Sequence, residues 1–269
     1  MQLHVYKSLW GMNGPIEEQF ERIAMAGYVG VEAGMNRPVN EWRQLLDRHR
    51  LKYIAMMFTG GKTVEEQLAS FRELLAKAQD YEPVKIVVHS GLDRFTADEA
   101  MRFYEGCVAE ESKQNIVVGH ETHRGRYFFT PWTTAEILKK FPTLKLCVDF
   151  SHWCCVCESL LEANEADVQL ACTRAVHIHG RVGHGEGPQV SDPAAPEFAK
   201  QVERHEQWWD AVYQYHRQSG AANVTFDPEF GPPTYQQTLP YTQQPVSDLW
   251  HICQWMADRA KKRFAEKYS

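Results

Sequence analysis

The sequence predicts a single (β/α)8 barrel, a TIM barrel of parallel strands, formed as one domain over residues 1–269. Three observations predict it. Eight short apolar runs alternate with segments of helical periodicity along the whole chain. The length is close to the roughly 250 residues that eight strand–helix units need. Carboxylate or imidazole side chains close four successive runs, at the C-terminal strand tips where such barrels build their sites. A doubly wound sheet is the rival architecture, but it gathers ligands at one switch point rather than around a ring.

The strand-like runs are residues 3–8, 28–33, 51–58, 84–90, 115–121, 144–149, 175–180 and 223–229. They are rich in Val, Ile and aromatics, and most lack alternating polarity, as suits strands covered on both faces. Helical stripes lie between them, such as Ile16, Phe20, Ile23 and Ala24, or Leu68, Phe71, Leu74, Leu75 and Ala78. A last stripe runs through Leu249, Ile252, Cys253, Met256, Ala260 and Phe264. Thr63 with Glu66 and Thr96 with Glu99 read as capping boxes. Pro142 stops the helix expected over 134–141. Two Gly/Pro-rich loops, near 181–196 and 230–245, are long for barrel connections and suit lids, substrate contacts or subunit contacts.

The formal charge of −6 argues against nucleic acid or an anionic membrane as partner. No apolar stretch approaches the roughly twenty residues of a spanning helix, and residues 1–10 show no signal-peptide pattern. Seven cysteines, an odd number, fit reduced thiols and a cytoplasmic protein better than a disulfide framework. Cys154 and Cys157 lack the second ligand pair of a zinc knuckle. Trp208 and Trp209 read as helix packing, and the basic run 259–267 as the solvated face of the last helix. Oligomeric state stays open, although barrels of this size often associate as homo-oligomers.

The four tip residues are Glu121, Asp149, His179 and Glu229, with His152 three places after Asp149. Two Glu, one Asp and one imidazole make a mixed oxygen/nitrogen site that suits Mn²⁺ first, with Mg²⁺, Co²⁺ or Zn²⁺ as alternatives. A six-coordinate ion held there keeps two positions for adjacent substrate oxygens, and would polarise a carbonyl and stabilise an enediolate. A Glu beside the substrate could move the proton. His177 and His179 point to the same face of their strand, and the tip position favours His179 as ligand.

On these residues the chain resembles the xylose isomerase-like barrel superfamily, in its sugar isomerase/epimerase, hydroxypyruvate isomerase and AP-endonuclease branch. The matched pieces are Glu121 in GHETHR, Asp149 and His152 in VDFSH, His179 in HIHGR and Glu229 in PEFG. The resemblance implies that Glu121, Asp149, His179 and Glu229 hold one divalent ion. It also implies that Glu121 and Glu229 are the acid–base pair and that His152 contacts a substrate oxygen. Further substrate contacts expected at the mouth are Trp10, Glu32, His89, Arg124 and Arg181. Ser90 stands where the endonuclease branch has Pro, and the third strand tip offers no His, which weakens a multinuclear cluster.

The expected function is metal-dependent isomerisation or epimerisation of a small carbohydrate-like hydroxy-carbonyl compound. A sugar dehydratase or other lyase is the neighbouring alternative, because it shares the first proton abstraction. An abasic-DNA hydrolase and a non-catalytic sugar-binding module stand further off.

Overall fold

A computed structural model describes residues 1–268. The strands are β1 (Gln2–Ser8), β2 (Gly30–Gly34), β3 (Lys52–Phe58), β4 (Lys85–His89), β5 (Val118–Glu121), β6 (Leu146–Val148), β7 (Ala175–His179) and β8 (Asn223–Asp227). Each pairs in parallel with its sequence neighbour, and β8 closes on β1, so the eight form one barrel. The helices are α1 (Ile16–Met25), α2 (Val39–His49), α3 (Val64–Asp80), α4 (Ala97–Glu111), α5 (Pro131–Lys140), α6 (Phe150–Val156), α7 (Glu165–Cys172), α8 (Ala199–Gln218) and α9 (Leu249–Tyr268).

Alternation along the strands sorts side chains between two cores. Val5, Val88, Val148 and Ile178 join the large cluster between strands and helices. Tyr6, Ile54, Val87 and Cys147 form a separate small cluster inside the barrel. Polar side chains share that interior. Lys85 Nζ donates to Val176 O at 2.6 Å and to Thr225 Oγ1 at 3.0 Å, which supplies partners for an otherwise buried ammonium.

Both capping boxes form. Thr63 Oγ1 accepts from Glu66 N at 3.2 Å, and Glu66 Oε2 accepts from Thr63 N at 3.2 Å, opening α3. Thr96 and Glu99 open α4 in the same way. α5 begins earlier than the periodicity indicates, at Pro131, because Pro suits the first helical turn and Thr130 caps Thr133.

The structure departs from the sequence reading in three places. β5 and β6 are shorter than their apolar runs, and β8 ends before Glu229. The sixth strand is followed directly by α6, whose N-cap is Asp149 accepting from Ser151 N at 3.0 Å. The basic face of α9 is not merely solvated. Arg259 pairs with Glu206 at 2.7 Å, and Arg263 and Lys267 each pair with Asp210 at 2.6 Å, tying α9 to α8. Trp208 and Trp209 are buried in α8, as helix packing requires. No described helix is long and apolar enough to cross a membrane.

Candidate functional site

The barrel brings together Glu121 at the tip of β5, Asp149 after β6, His179 at the tip of β7 and Glu229 after β8. One ligand atom from each lies within 4.8 Å of the others, and all four residues are buried. His179 Nδ1 stands 3.0 Å from Glu229 Oε2 and 3.6 Å from Glu121 Oε1. None of these three atoms has a well-directed hydrogen bond within the protein. Such buried polar atoms are costly unless something pairs with them. Glu229 is held at φ 48°, a sparsely populated region for a non-glycine residue, and its N–H donates to Asp227 Oδ1 at 2.9 Å. The Asp-Pro-Glu turn therefore aims this carboxylate back over the mouth.

Glu32, expected at the tip of β2 as a substrate contact, is the central residue of that strand and lies beneath the four-residue group. It is fully buried, with Oε1 2.9 Å from His179 Nε2 and Oε2 2.8 Å from His177 Nε2. Because a carboxylate only accepts, each imidazole presents an N–H to it. His179 is left with Nδ1 facing the carboxylates. His177 is left with Nδ1 2.7 Å from the Thr225 hydroxyl. Geometrically, His179 faces the group and His177 sits below it. A chain of contacts runs along the barrel axis from Lys85 through Thr225, His177 and Glu32 to His179.

Two smaller groupings share these residues. Cys147, His177 and His179 converge inside the barrel, but burial pushes the Cys147 thiol well above its usual range, so it stays protonated. His89, Glu121 and His123 converge on the other side, with His89 Nε2 2.6 Å from Glu121 Oε2.

Arg181 lies against the group rather than free in the mouth. Its guanidinium donates to Asp149 Oδ2, to Ser151 Oγ at 3.1 Å and to Glu229 O at 3.4 Å. It also stands 2.9 Å from His152 Nε2. Burial opposes its charge, but Asp149 and Glu229 outweigh burial and raise its pKa. Burial opposes ionisation of Glu121 too, yet His89 and His179 hold it well below the usual carboxylate range. Burial, with Glu229 and Glu121 adding to it, pushes Asp149 upward against the pull of Arg181. His152 is pushed well down by burial and by the neighbouring His123 and Arg181, so its ring is neutral.

A cavity of about 600 Å³ opens above the group. Its wall includes Trp10, His89, Glu121, Arg181 and Glu229 among the residues singled out from sequence. Two further expectations need correction. His152 is fully buried behind the wall, its ring 3.9 Å from that of His123, which lines the cavity in its stead. Arg124 also lies off the wall, 4.9 Å over the ring of Tyr235. His152 was expected from the family resemblance and Arg124 from its place after Glu121, and neither registers that α6 turns His152 inward or that an aromatic ring captures Arg124.

Tyr235 is the functional candidate that sequence reasoning passed over. It lines the cavity from the loop after β8, with Arg181 4.7 Å over its ring and Trp10 edge-on at 5.0 Å. The available signal was an aromatic residue embedded in a Gly/Pro-rich loop. Gly231 allows the assembly, since a Cβ there would stand 2.1 Å from the Trp10 ring. Gln189, from the other long loop, clamps the same glycine, accepting from its N–H at 2.7 Å and donating to its carbonyl at 3.0 Å.

Neither a protein-family model nor a curated protein matches the sequence. Solved structures do match in fold. A xylose isomerase-like TIM barrel protein from Mycobacterium smegmatis, in complex with magnesium, superposes at TM-score 0.62 with 12% identity, covering 96% of this chain and 91% of that one. The 3-keto-D-glucoside 4-epimerase YcjR of E. coli gives TM-score 0.61 and 14% identity, covering 97% and 100%. The probable 3-DHS dehydratase AsbF of Bacillus anthracis gives 0.60 and 14%, covering the whole of both chains. The chain shares the (β/α)8 barrel fold of these structures. At these identities the likeness is one of fold.

Proposed function

We propose that the protein is a divalent-metal-dependent isomerase or epimerase of a small carbohydrate-like hydroxy-carbonyl compound. The observation that carries this reading is a division within the four-residue group. Glu121 and Glu229 line the cavity, whereas Asp149 and His179 stand behind them. A proton-transfer site needs two groups that reach the substrate and an anchored remainder that does not.

The residues present fit a divalent ion. Three carboxyl groups and one imidazole nitrogen converge with unpaired buried atoms, and oxygen-rich sets of this kind suit Mn²⁺ or Mg²⁺. Three carboxylates against the Arg181 guanidinium leave two negative charges for it to balance. Bound there, the ion would supply positive charge to substrate oxygens that become negative as a proton leaves the adjacent carbon. Glu121, ionised and held by His89, is placed to take or return that proton from the β5 side. Glu229 is placed to do so from the β8 side. Arg181 and Tyr235 line the cavity beside them.

A lyase uses the same first step and then expels a β-hydroxyl. The fold shared with a probable dehydratase supports keeping it as the second reading. The test is exchange of the substrate α-proton with deuterated solvent across a sugar panel, with Mn²⁺ or Mg²⁺ present. Exchange with retained mass apart from deuterium is expected. A product lighter by one water selects the lyase, and no exchange with metal bound overturns both.

A further inference from the structure

The cavity has two unlike poles. The ring order places β2 and β3 across the barrel from β6 and β7. The wall at the ends of β1 and β3 and the start of α1 is apolar, with Leu9, Trp10, Ile16, Met56 and Phe58, and it meets the ligand-bearing side where Phe58 stacks on His89 and Trp10 abuts Tyr235. Phe58 is 50% exposed and Trp10 38% exposed, unusual for large aromatics inside a cleft. Both are held rigidly. Phe58 stacks on His89 at 4.3 Å, and Trp10 is wedged against Gly231 and Tyr235. Rigid exposed aromatic faces are the usual receptors for another ring or for the C–H face of a sugar.

Size points the same way. At about 600 Å³ the cavity is in the range that takes a drug-sized ligand, and a single small sugar would fill part of it. The two arginines expected to contact substrate are both engaged: Arg181 with Asp149 and Glu229, and Arg124 on the Tyr235 ring outside the wall. Among the lining residues the exposed guanidinium is that of Arg37, which makes no ion pair among the described residues.

We propose that the natural substrate is a glycoside-like molecule in two parts: a reacting sugar ring at the Glu121–Glu229 pole, and a ring substituent seated on Trp10, Met56 and Phe58. Resting on the function proposed above, this names the substrate class of that site.

The test is isothermal titration of the Mn²⁺-loaded protein with matched methyl and phenyl glycosides of glucose, galactose and mannose, and with glucose 6-phosphate. For at least one sugar the phenyl glycoside binds about tenfold more tightly than the methyl glycoside, the gain of one aromatic stacking contact. Phe58→Ala and Met56→Ala each shrink that ratio, with folding checked by circular dichroism melting. Equal affinities throughout, no binding of any phenyl glycoside at millimolar concentration, a ratio untouched by both variants, or tightest binding of glucose 6-phosphate each overturns the proposal. The α-proton exchange assay separates this from the function itself. Exchange on free monosaccharides as efficient as on glycosides leaves the function standing and removes the two-part substrate. Tight phenyl-glycoside binding without exchange on any sugar does the reverse.

Discussion

Glu32 divides its carboxylate between two histidines, 2.8 Å from His177 and 2.9 Å from His179, at the centre of the barrel. Burial alone would raise its pKa, but the two imidazoles outweigh burial and hold it down to about 2. The ionised carboxylate fixes the ring orientation of His179 and leaves Nδ1 for the site above. Hydrogen bonds of this kind to a ligand histidine govern metal affinity.

Glu32→Gln therefore weakens Mn²⁺ binding by about 10–100-fold, because an amide can present only one acceptor to two N–H groups. Chelator competition or calorimetry measures it. Unchanged affinity in a folded Glu32→Gln protein would show that the barrel holds His179 without this carboxylate.

Glu229→Gln separates binding from proton transfer. Loss of one acid–base group costs about 10²–10⁴-fold in turnover. Ligand affinity, measured by titration with a non-reacting sugar analogue, falls much less. A variant that retains turnover shows that Glu229 moves no proton.

Tyr235 carries Arg181 on its ring and abuts Trp10. Tyr235→Ala is expected to raise KM by about tenfold through loss of these contacts, and Tyr235→Phe, which keeps the ring, to stay within about threefold. If Phe behaves like Ala in steady-state kinetics, the hydroxyl rather than the ring matters.

Acid destabilisation should have an identifiable contributor remote from the site. Burial lowers His205 from 6.5 to about 4. As pH falls, the unfolded chain takes up this proton before the folded one, so stability is full above about 6.5 and declines toward about 4. Its share is on the order of 1–3 kcal/mol. Melting temperature against pH, in the presence of a chelator, should fall less steeply across that window for His205→Gln. A superimposable profile would remove His205 from the account.

Much of the site was legible because strand tips in a barrel are also positions in a sequence pattern. Glu121, Asp149, His179 and Glu229 each close an apolar run, and the barrel brings one end of every strand to the same face. Asp149 and Glu229 were legible as candidates although both lie just past their strands, since the turn chemistry that follows each run stays within a residue or two of the tip.

The neighbouring shell was less legible, for a physical reason specific to each residue. Glu32 lies in the middle of β2, and only closure of the ring reveals that its partners are His177 and His179 of β7. His152 was expected as a substrate contact from the family resemblance, but the immediate start of α6 turns it into the interior. Tyr235 sits in a loop whose path depends on Gly231 meeting Trp10 and on the Gln189 clamp.

By itself the sequence determined the alternation of elements, the barrel they build and the four side chains that converge at its mouth. These follow from local periodicity and from the parallel direction of every strand. Only the tertiary structure decided which carboxylate serves beneath the site, which histidine faces it and which wall of the cavity is aromatic. Those depend on contacts between residues more than a hundred positions apart, such as Glu32 with His179, and no local pattern encodes a distance across a closed ring.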